Sequence, residues 1–327
     1  MQPSRRAFLL GRGAKPVTPW HDFCQRLARA CLGRLRHDAK SARLAPLGVA
    51  ELQRACALCA QYGVRLALSH GASHSENHSE KNTPNQPVLW LDPTVALTRL
   101  EPVPNTPGQW RAEAGVRVAD LHAAGLAQVA HAPADMTLAH WLAGPASALC
   151  VTGRTQDAGV VGLEVLLADG TLATLGPFGQ HATERLRGVA VQRLIPQLFD
   201  LSRSDDAQTC LAQPHWLPRA RLDALCGDEI NLAHLLLGHG GALAWVHAAV
   251  LTAPALPLAA LPPAPQAAAA TAPVLTRTSS TGTSSTGTSS TGTSSTRSAP
   301  ELRHAADRLD AAVKQLFDPQ RIMGTDR

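Results

Sequence analysis

Three histidines, His70, His74 and His78, fall within nine residues of one another, among Ser69, Ser73, Ser75 and Glu76. Neutral imidazoles are good metal ligands. The same composition also suits a solvated polar loop, and the spacing leaves both readings open. Cys56-Ala57-Leu58-Cys59 has the spacing of a metal or redox pair, and Cys24 and Cys31 could complete a set of four thiolates. These cysteines recur at helical steps, however, and the simpler expectation is a buried stripe of small hydrophobic side chains. No Ser-His-Asp order, paired carboxylates or phosphate-binding P-loop is present, so no catalytic residue and no metal ligand is assigned.

Glycine marks two further places. One is Ser69-His70-Gly71-Ala72-Ser73-His74; the other is Leu237-Gly238-His239-Gly240-Gly241. Glycine lets the backbone come close to an anion, and the amides there act as donors. Both places follow apolar stretches, so strands and helices must aim them.

Those elements can be read from periodicity. Trp20, Phe23, Cys24, Leu27, Cys31 and Leu35 predict a helix over residues 19–36. Val49, Leu52, Cys56 and Cys59 predict a second over 48–62, ended by Gly63. Strands are expected at Arg65–Leu68, Val88–Leu91 and Trp110–Ala114, and a short helix at Val118–Gly125. Asp169-Gly170 is a tight turn between the hairpin arms Val161–Ala168 and Thr171–Leu175. Residues 232–251 read as a helix start, the glycine corner and a strand.

From Pro254 the composition turns to Ala, Pro and Leu, and then to Thr-Ser-Ser-Thr-Gly repeats between Thr278 and Thr296. Such a segment has neither charge nor bulk to bury and reads as a flexible linker. Leu302, Ala305, Ala306, Leu309, Val313, Leu316 and Phe317 then predict an amphipathic helix closed by Asp318-Pro319. Mixed strands and helices in this order imply an α+β or α/β fold.

Bulk properties narrow the class. With 45% hydrophobic residues the chain can bury a sizeable core. Its net charge of +5 comes from scattered residues, among them Arg5, Arg6, Arg26, Arg29, Arg34 and Arg36, without interleaved aromatics, which argues against a nucleic-acid partner. Seven cysteines, an odd number in a long chain, argue for reduced thiols over a disulfide framework. No apolar run is long enough to span a membrane. Arg5-Arg6 resembles a twin-arginine export core, yet Gly11-Arg12-Gly13 follows Leu10 where an apolar stretch should continue. A cytoplasmic location is the expectation.

Four stretches in order resemble the FAD-binding domain of the vanillyl-alcohol oxidase and p-cresol methylhydroxylase (PCMH) superfamily, and within it the FAD-linked oxidases of glycolate and D-lactate. They are Val49 to His74; Trp110 to Gly125; Pro133-Ala134-Asp135-Met136-Thr137-Leu138-Ala139-His140 with the run to Asp169-Gly170; and Leu232 to Val246. The tail Leu316-Phe317-Asp318-Pro319 is similar to the family's C-terminal segment. The resemblance implies an α+β fold of two α/β subdomains and FAD as cofactor. It implies cofactor contacts at Ser69, His70, Gly71, Ala72, Ser73, His74, Thr137, Ala139, His140, Val161, Gly238 and Gly241. Covalent attachment of the flavin through a histidine of the loop is a further reading. Several family glycines are replaced here: His70, Ala139, His140 and Ala244 stand in their places, and Ser69 replaces an arginine.

The domain plan that follows is an N-terminal helical extension (1–37), the FAD-binding domain (38–256), the linker (257–297) and a C-terminal helix (298–327). The substrate or cap domain that family members place before the tail helix is largely absent. A partner subunit would then supply the substrate domain or the electron acceptor. The resulting expectation is an FAD-binding subunit of a 2-hydroxyacid oxidase or dehydrogenase. The alternative is a cofactor-free scaffold that kept the fold.

Overall fold

The computed structural model describes residues 18–69, 86–148, 150–179, 182, 188–227, 229–253 and 299–324. Its first part is α1 (Pro19–Ala30), β1 (Arg34–His37), β2 (Ser41–Ala45), α2 (Val49–Tyr62), β3 (Arg65–Leu68) and β4 (Val88–Leu91). These strands form one sheet in the order β1-β2-β4-β3, with β2 and β3 both parallel to β4 and β1 antiparallel to β2. Gly63 ends α2 in the left-handed conformation (φ 64°), as the sequence predicts. Leu44, Leu66, Leu89 and Leu91 pack with Phe23, Leu27, Leu52, Cys56 and Cys59 in one core. Each such leucine contributes about 2 kcal/mol by leaving water.

The expected helix over 19–36 stops early. Beyond Ala30 the Leu32 and Gly33 amides donate to the buried Glu51 carboxylate, at 2.6 Å and 3.2–3.3 Å. Gly33 lies so close to Ala45 that a Cβ would stand 2.2 Å from its carbonyl oxygen. The chain turns there and residues 34–37 become β1. The segment read as an N-terminal extension thus contributes a strand to the first sheet, and Phe23, Cys24 and Leu27 to its core.

The second sheet contains β5 (Leu100–Pro102), β6 (Gln109–Glu113), β7 (Val160–Leu166), β8 (Leu172–Leu175) and β9 (Trp245–Thr252). It is antiparallel throughout, in the order β5-β6-β9-β7-β8. Short helices α3 (Val118–Ala123) and α4 (Leu138–Ala143) follow β6, and α5 (Val189–Ser202) and α6 (Asp205–Leu211) follow β8. Leu163, Val165, Ala249 and Leu251 share a core with Trp141, Leu198, Leu309 and Val313. The fold is α+β, with two sheets each carrying its own helices and core.

The last helix, α7 (Ala299–Phe317), closes the second core. Asp310 accepts from the Arg219 and Ala220 amides (2.8 and 3.2 Å), and Arg308 forms a two-pronged ion pair with Asp206. The tail beyond α7 returns to the first sheet: Leu66 donates to Ile322 and Gly324 donates to Leu66, both at 2.7 Å. The tail therefore covers the β3 edge.

Candidate functional site

The motif stretches meet where the two sheets adjoin. The glycine corner before β9 takes three left-handed residues, Gly238, Gly240 and Gly241 (φ 73°, 66° and 74°), which only glycine adopts without strain. Its amides hold it against α4, Gly238 donating to Leu142 and Gly240 to Ala143, each at 2.9 Å. A Cβ on Gly241 would lie 3.7 Å from the Gly324 carbonyl and 4.0 Å from Leu68 Cβ. Ser69, just past Leu68, is buried at the end of β3, and its amide donates to Leu91 at 2.8 Å. Four segments well separated in sequence are thereby joined: the start of the Ser69 loop, α4, the glycine corner and the tail.

At the start of α4, Thr137 is the N-cap. Its hydroxyl lies 2.6 Å from His140 Nδ1 and fixes that ring. Ala139 is buried in the first core although its helix belongs beside the second sheet, and its amide donates to Ala114 at 2.9 Å. His239 is buried within the corner, and its Nδ1 has no hydrogen-bond partner. Burial, helped by the nearby Lys314 charge, pulls its pKa down to about 4. The ring is neutral at pH 7 and offers one unused nitrogen. Trp245 Nε1, four residues past the corner glycine, is likewise buried without a partner.

Of the cofactor contacts expected from the resemblance, Ser69, Thr137, Ala139, His140, Gly238 and Gly241 border this seam. Val161 does not: it lies at the other end of β7 from Leu166, which is the residue paired with Trp245. Its carbonyl accepts from Asn231 Nδ2 at 2.9 Å. His70, Gly71, Ala72, Ser73 and His74 lie outside the described residues, as does His78, so the histidine loop is not placed.

The cysteine expectation holds as far as burial goes. Cys24, Cys31, Cys56 and Cys59 are all buried in the first core. Desolvation pushes the thiols of Cys24, Cys31 and Cys56 up to about 11 and raises that of Cys59 well above the ordinary thiol value. Among the described residues no three His, Cys, Asp or Glu side chains come together as a metal-ligand group.

Several polar groups escaped the sequence reading. Lys314 ties α7 to the corner and, through Asp318, which the sequence marks as the helix end, to the tail. Arg221 and Asp223 form a fully buried pair that fastens residues 148–153. On the outer face of the second sheet Glu164 is held by Arg111 at 2.7 and 2.8 Å, which keeps its carboxyl below the usual range, and His247 lies 3.5 Å away. A surface cleft of about 200 Å³, lined by Asp169, Arg193, Leu194, Phe317 and Gln320 among others, lies beside the β7–β8 turn. It is smaller than the roughly 300–1,000 Å³ of ordinary ligand pockets.

No family model and no curated protein matches the sequence. Among solved structures, the chain is similar to an alkyldihydroxyacetonephosphate synthase at 17% identity, covering 74% of this chain and 43% of that one, with a TM-score of 0.43. It is similar to a chitooligosaccharide oxidase at 10% identity, covering 72% and 43%, with a TM-score of 0.40. It is also similar to Physcomitrella patens BBE-like 1 at 12% identity, covering 70% and 44%, with a TM-score of 0.38. The chain spans less than half the length of each. No helix among the described residues is long and apolar enough to cross a membrane.

Proposed function

We propose that the chain is an FAD-binding oxidoreductase-type domain acting as one subunit of a 2-hydroxyacid oxidase or dehydrogenase of the glycolate or lactate type. In this reading a partner subunit supplies the substrate domain or electron acceptor, residues 38–256 are the cofactor-binding unit, and 257–297 tether the C-terminal helix. The observation that supports it is the convergence of the Ser69 loop start, α4, the glycine corner and the tail on one seam, where a Cβ on Gly241 would lie 3.7 Å from the Gly324 carbonyl and 4.0 Å from Leu68 Cβ. Two buried polar atoms without partners, His239 Nδ1 and Trp245 Nε1, support a polar ligand there.

A bound flavin would supply the hydride acceptor. This chain's residues would orient it. Backbone donors for the diphosphate fall to His70 to His74, since the Ser69 amide already donates to Leu91. Thr137 would hold the His140 ring in place, and neutral His239 would donate or accept one hydrogen bond.

A second reading, the cofactor-free scaffold, is favoured by one specific observation. The amides of Ser69, Leu138, Ala139, His140, Gly238 and Gly240 all donate to groups within the chain. They are spent before a phosphate arrives, and a Cβ on Gly238 would meet Ala148 at 2.7 Å, leaving no open cradle at Gly238.

The deciding experiment is a visible absorbance spectrum of the purified full chain before and after acid precipitation, with FAD added to any colourless preparation. Flavin bands that leave with the supernatant support bound FAD. Colour retained in the pellet supports covalent attachment through the histidine loop. A colourless protein that takes up no added FAD overturns the oxidoreductase reading and supports the scaffold.

A further inference from the structure

The first sheet ends at β1, whose far side pairs with no strand among the described residues. Arg34 and Arg36 stand two positions apart on β1, so they share a face and lie about 7 Å from each other. Arg36 is directly opposite Arg43 of β2. Like charges so placed repel, and all three arginines are exposed. Among the described residues, none of the three has a carboxylate partner. The core-facing residues of the same strands, Leu35, Ala42 and Leu44, point the other way.

Two leucines stand at the start of this edge. Leu32 is 86% exposed and Leu47 55% exposed. Neither is loosely held: the single buried carboxylate of Glu51 accepts from the Leu32 amide at 2.6 Å, from Gly33 and from the Leu47 amide at 2.9 Å. Burying a carboxylate is costly, and here it fixes the backbone beneath two apolar side chains that face water. Preorganised apolar anchors beside complementary charge are the makings of a docking site.

We propose that the β1 edge receives an extended segment of a partner protein, with an apolar residue seated on Leu32 and Leu47 and acidic residues at alternate positions facing Arg34, Arg36 and Arg43. The segment adds as a further strand. A second copy of this chain does not fit, because edge-to-edge pairing would bring arginine against arginine. A nucleic acid fits less well, because among the described residues only the half-buried Trp90, opposite Arg43, offers a ring for stacking on this face. The edge would serve the partner invoked above, but its test involves no flavin, so the two stand or fall separately.

The probe is a fluorescein-labelled peptide, Leu followed by alternating Val and Glu, titrated against the full chain by anisotropy at low and physiological salt. Amide exchange at residues 34–37 is followed in parallel. The expected result is binding that weakens with salt, slower exchange at β1, and a loss of at least about tenfold in affinity in the double variant Arg34→Glu/Arg36→Glu. Leu32→Ser should weaken binding about threefold or more. Both variants change exposed side chains, and unaltered circular dichroism checks that they fold. Unchanged β1 exchange, indifference to charge reversal, oligothymidylate of equal charge binding as tightly as the peptide, or dimerisation through this edge would each overturn the proposal.

Discussion

Lys314, in the last turn of α7, and Asp318, just past its end, form the joint that returns the chain's tail to its first sheet. The Lys314 ammonium lies 2.5 Å from the Asp318 carboxylate, 2.5 Å from the Ala242 carbonyl and 2.6 Å from the Met323 carbonyl. Asp318 is fully buried and also accepts from the Ile322 and Met323 amides, both at 2.8 Å. Burial pulls the lysine below its ordinary pKa while the carboxylate opposes that pull. Lys314→Met keeps the stem but leaves a buried carboxylate without its cation. The expected loss is about 3 kcal/mol, toward the lower end for a buried pair because the lysine is partly exposed. Urea unfolding measures it. Faster amide exchange at Leu66 and Gly324 would show that the tail is what loosens; unchanged exchange there would place the damage elsewhere.

Stability should fall steeply in mild acid. Burial holds His234 and His239 neutral, each with its pKa pulled from 6.5 to about 4. Below pH 6.5 the unfolded chain takes up two protons that the folded chain refuses. The stabilisation is fully present above pH 6.5 and is lost as the pH falls toward 4, on the order of 3 kcal/mol for each histidine. Unfolding midpoints between pH 7.5 and pH 4.5 test this. His239→Leu, which removes a buried nitrogen without a partner, should roughly halve the slope and leave stability at neutral pH equal or higher. If His239 faces a cofactor, the same variant lowers affinity for FAD.

Much of the fold was legible in the sequence because local signals agreed with the tertiary outcome. The Val49–Tyr62 helix with Gly63 at its end, the Asp169-Gly170 hairpin and the Gly238–Gly241 corner are set by spacing and by glycine's backbone. β1 was not legible: Leu35 continues the three- and four-residue pattern of α1, and only the distant Glu51 carboxylate and the crowding of Gly33 against Ala45 divert the chain. β2 and β5, of five and three residues, are too short to show a strand's alternation clearly. At the site, Gly238 and Gly241 were visible as glycines, but the space around them was not. Whether a glycine leaves room for a ligand or for Ala148 depends on a loop 90 residues away. Nothing local to Arg221 and Asp223 reveals that they are buried.

Glycines should separate by what surrounds them. Gly33→Ala puts a methyl 2.2 Å from Ala45 O and 2.8 Å from Glu51 Oε2, with backbone that cannot yield. A loss of about 3 kcal/mol or more is expected. Gly63→Ala meets nothing within 4 Å and is strained only by φ of 64°. About 1 kcal/mol is expected there. Thermal or urea unfolding of the two variants side by side tests the ranking. Equal losses would mean that the contact at Gly33 relaxes.

Thiol chemistry should single out one cysteine. Six of the seven are buried, and Cys226 alone is exposed. Burial pushes the thiols of Cys24, Cys31, Cys56, Cys150 and Cys210 up to about 11, where little thiolate exists at neutral pH. Titration of the native protein with a disulfide reagent at pH 7.5 should therefore release one equivalent quickly, and the remainder only in denaturant. A fast second and third equivalent, removed by Cys56→Ala and Cys59→Ala, would revive the redox reading of that pair.

The pair Arg221 and Asp223 is 1% and 0% exposed, and its two hydrogen bonds measure 2.8 and 2.6 Å. The guanidinium also donates to the Ala148, Cys150 and Val151 carbonyls, and Asp223 accepts from the Gly153 amide at 2.9 Å. Ala148 in turn backs Gly238, so the pair supports the glycine corner at one remove. Asp223→Ala leaves a buried cation with carbonyls alone and should cost about 3–5 kcal/mol. Arg221→Met paired with Asp223→Leu removes both charges together, and its cost should be well below the sum of the single losses, because neither charge is then stranded. A double-mutant cycle by urea unfolding gives the coupling. Additive losses would mean that each residue acts through its own backbone contacts, and the corner would then be held by Ser147, whose hydroxyl accepts from the Gly238 amide at 3.0 Å.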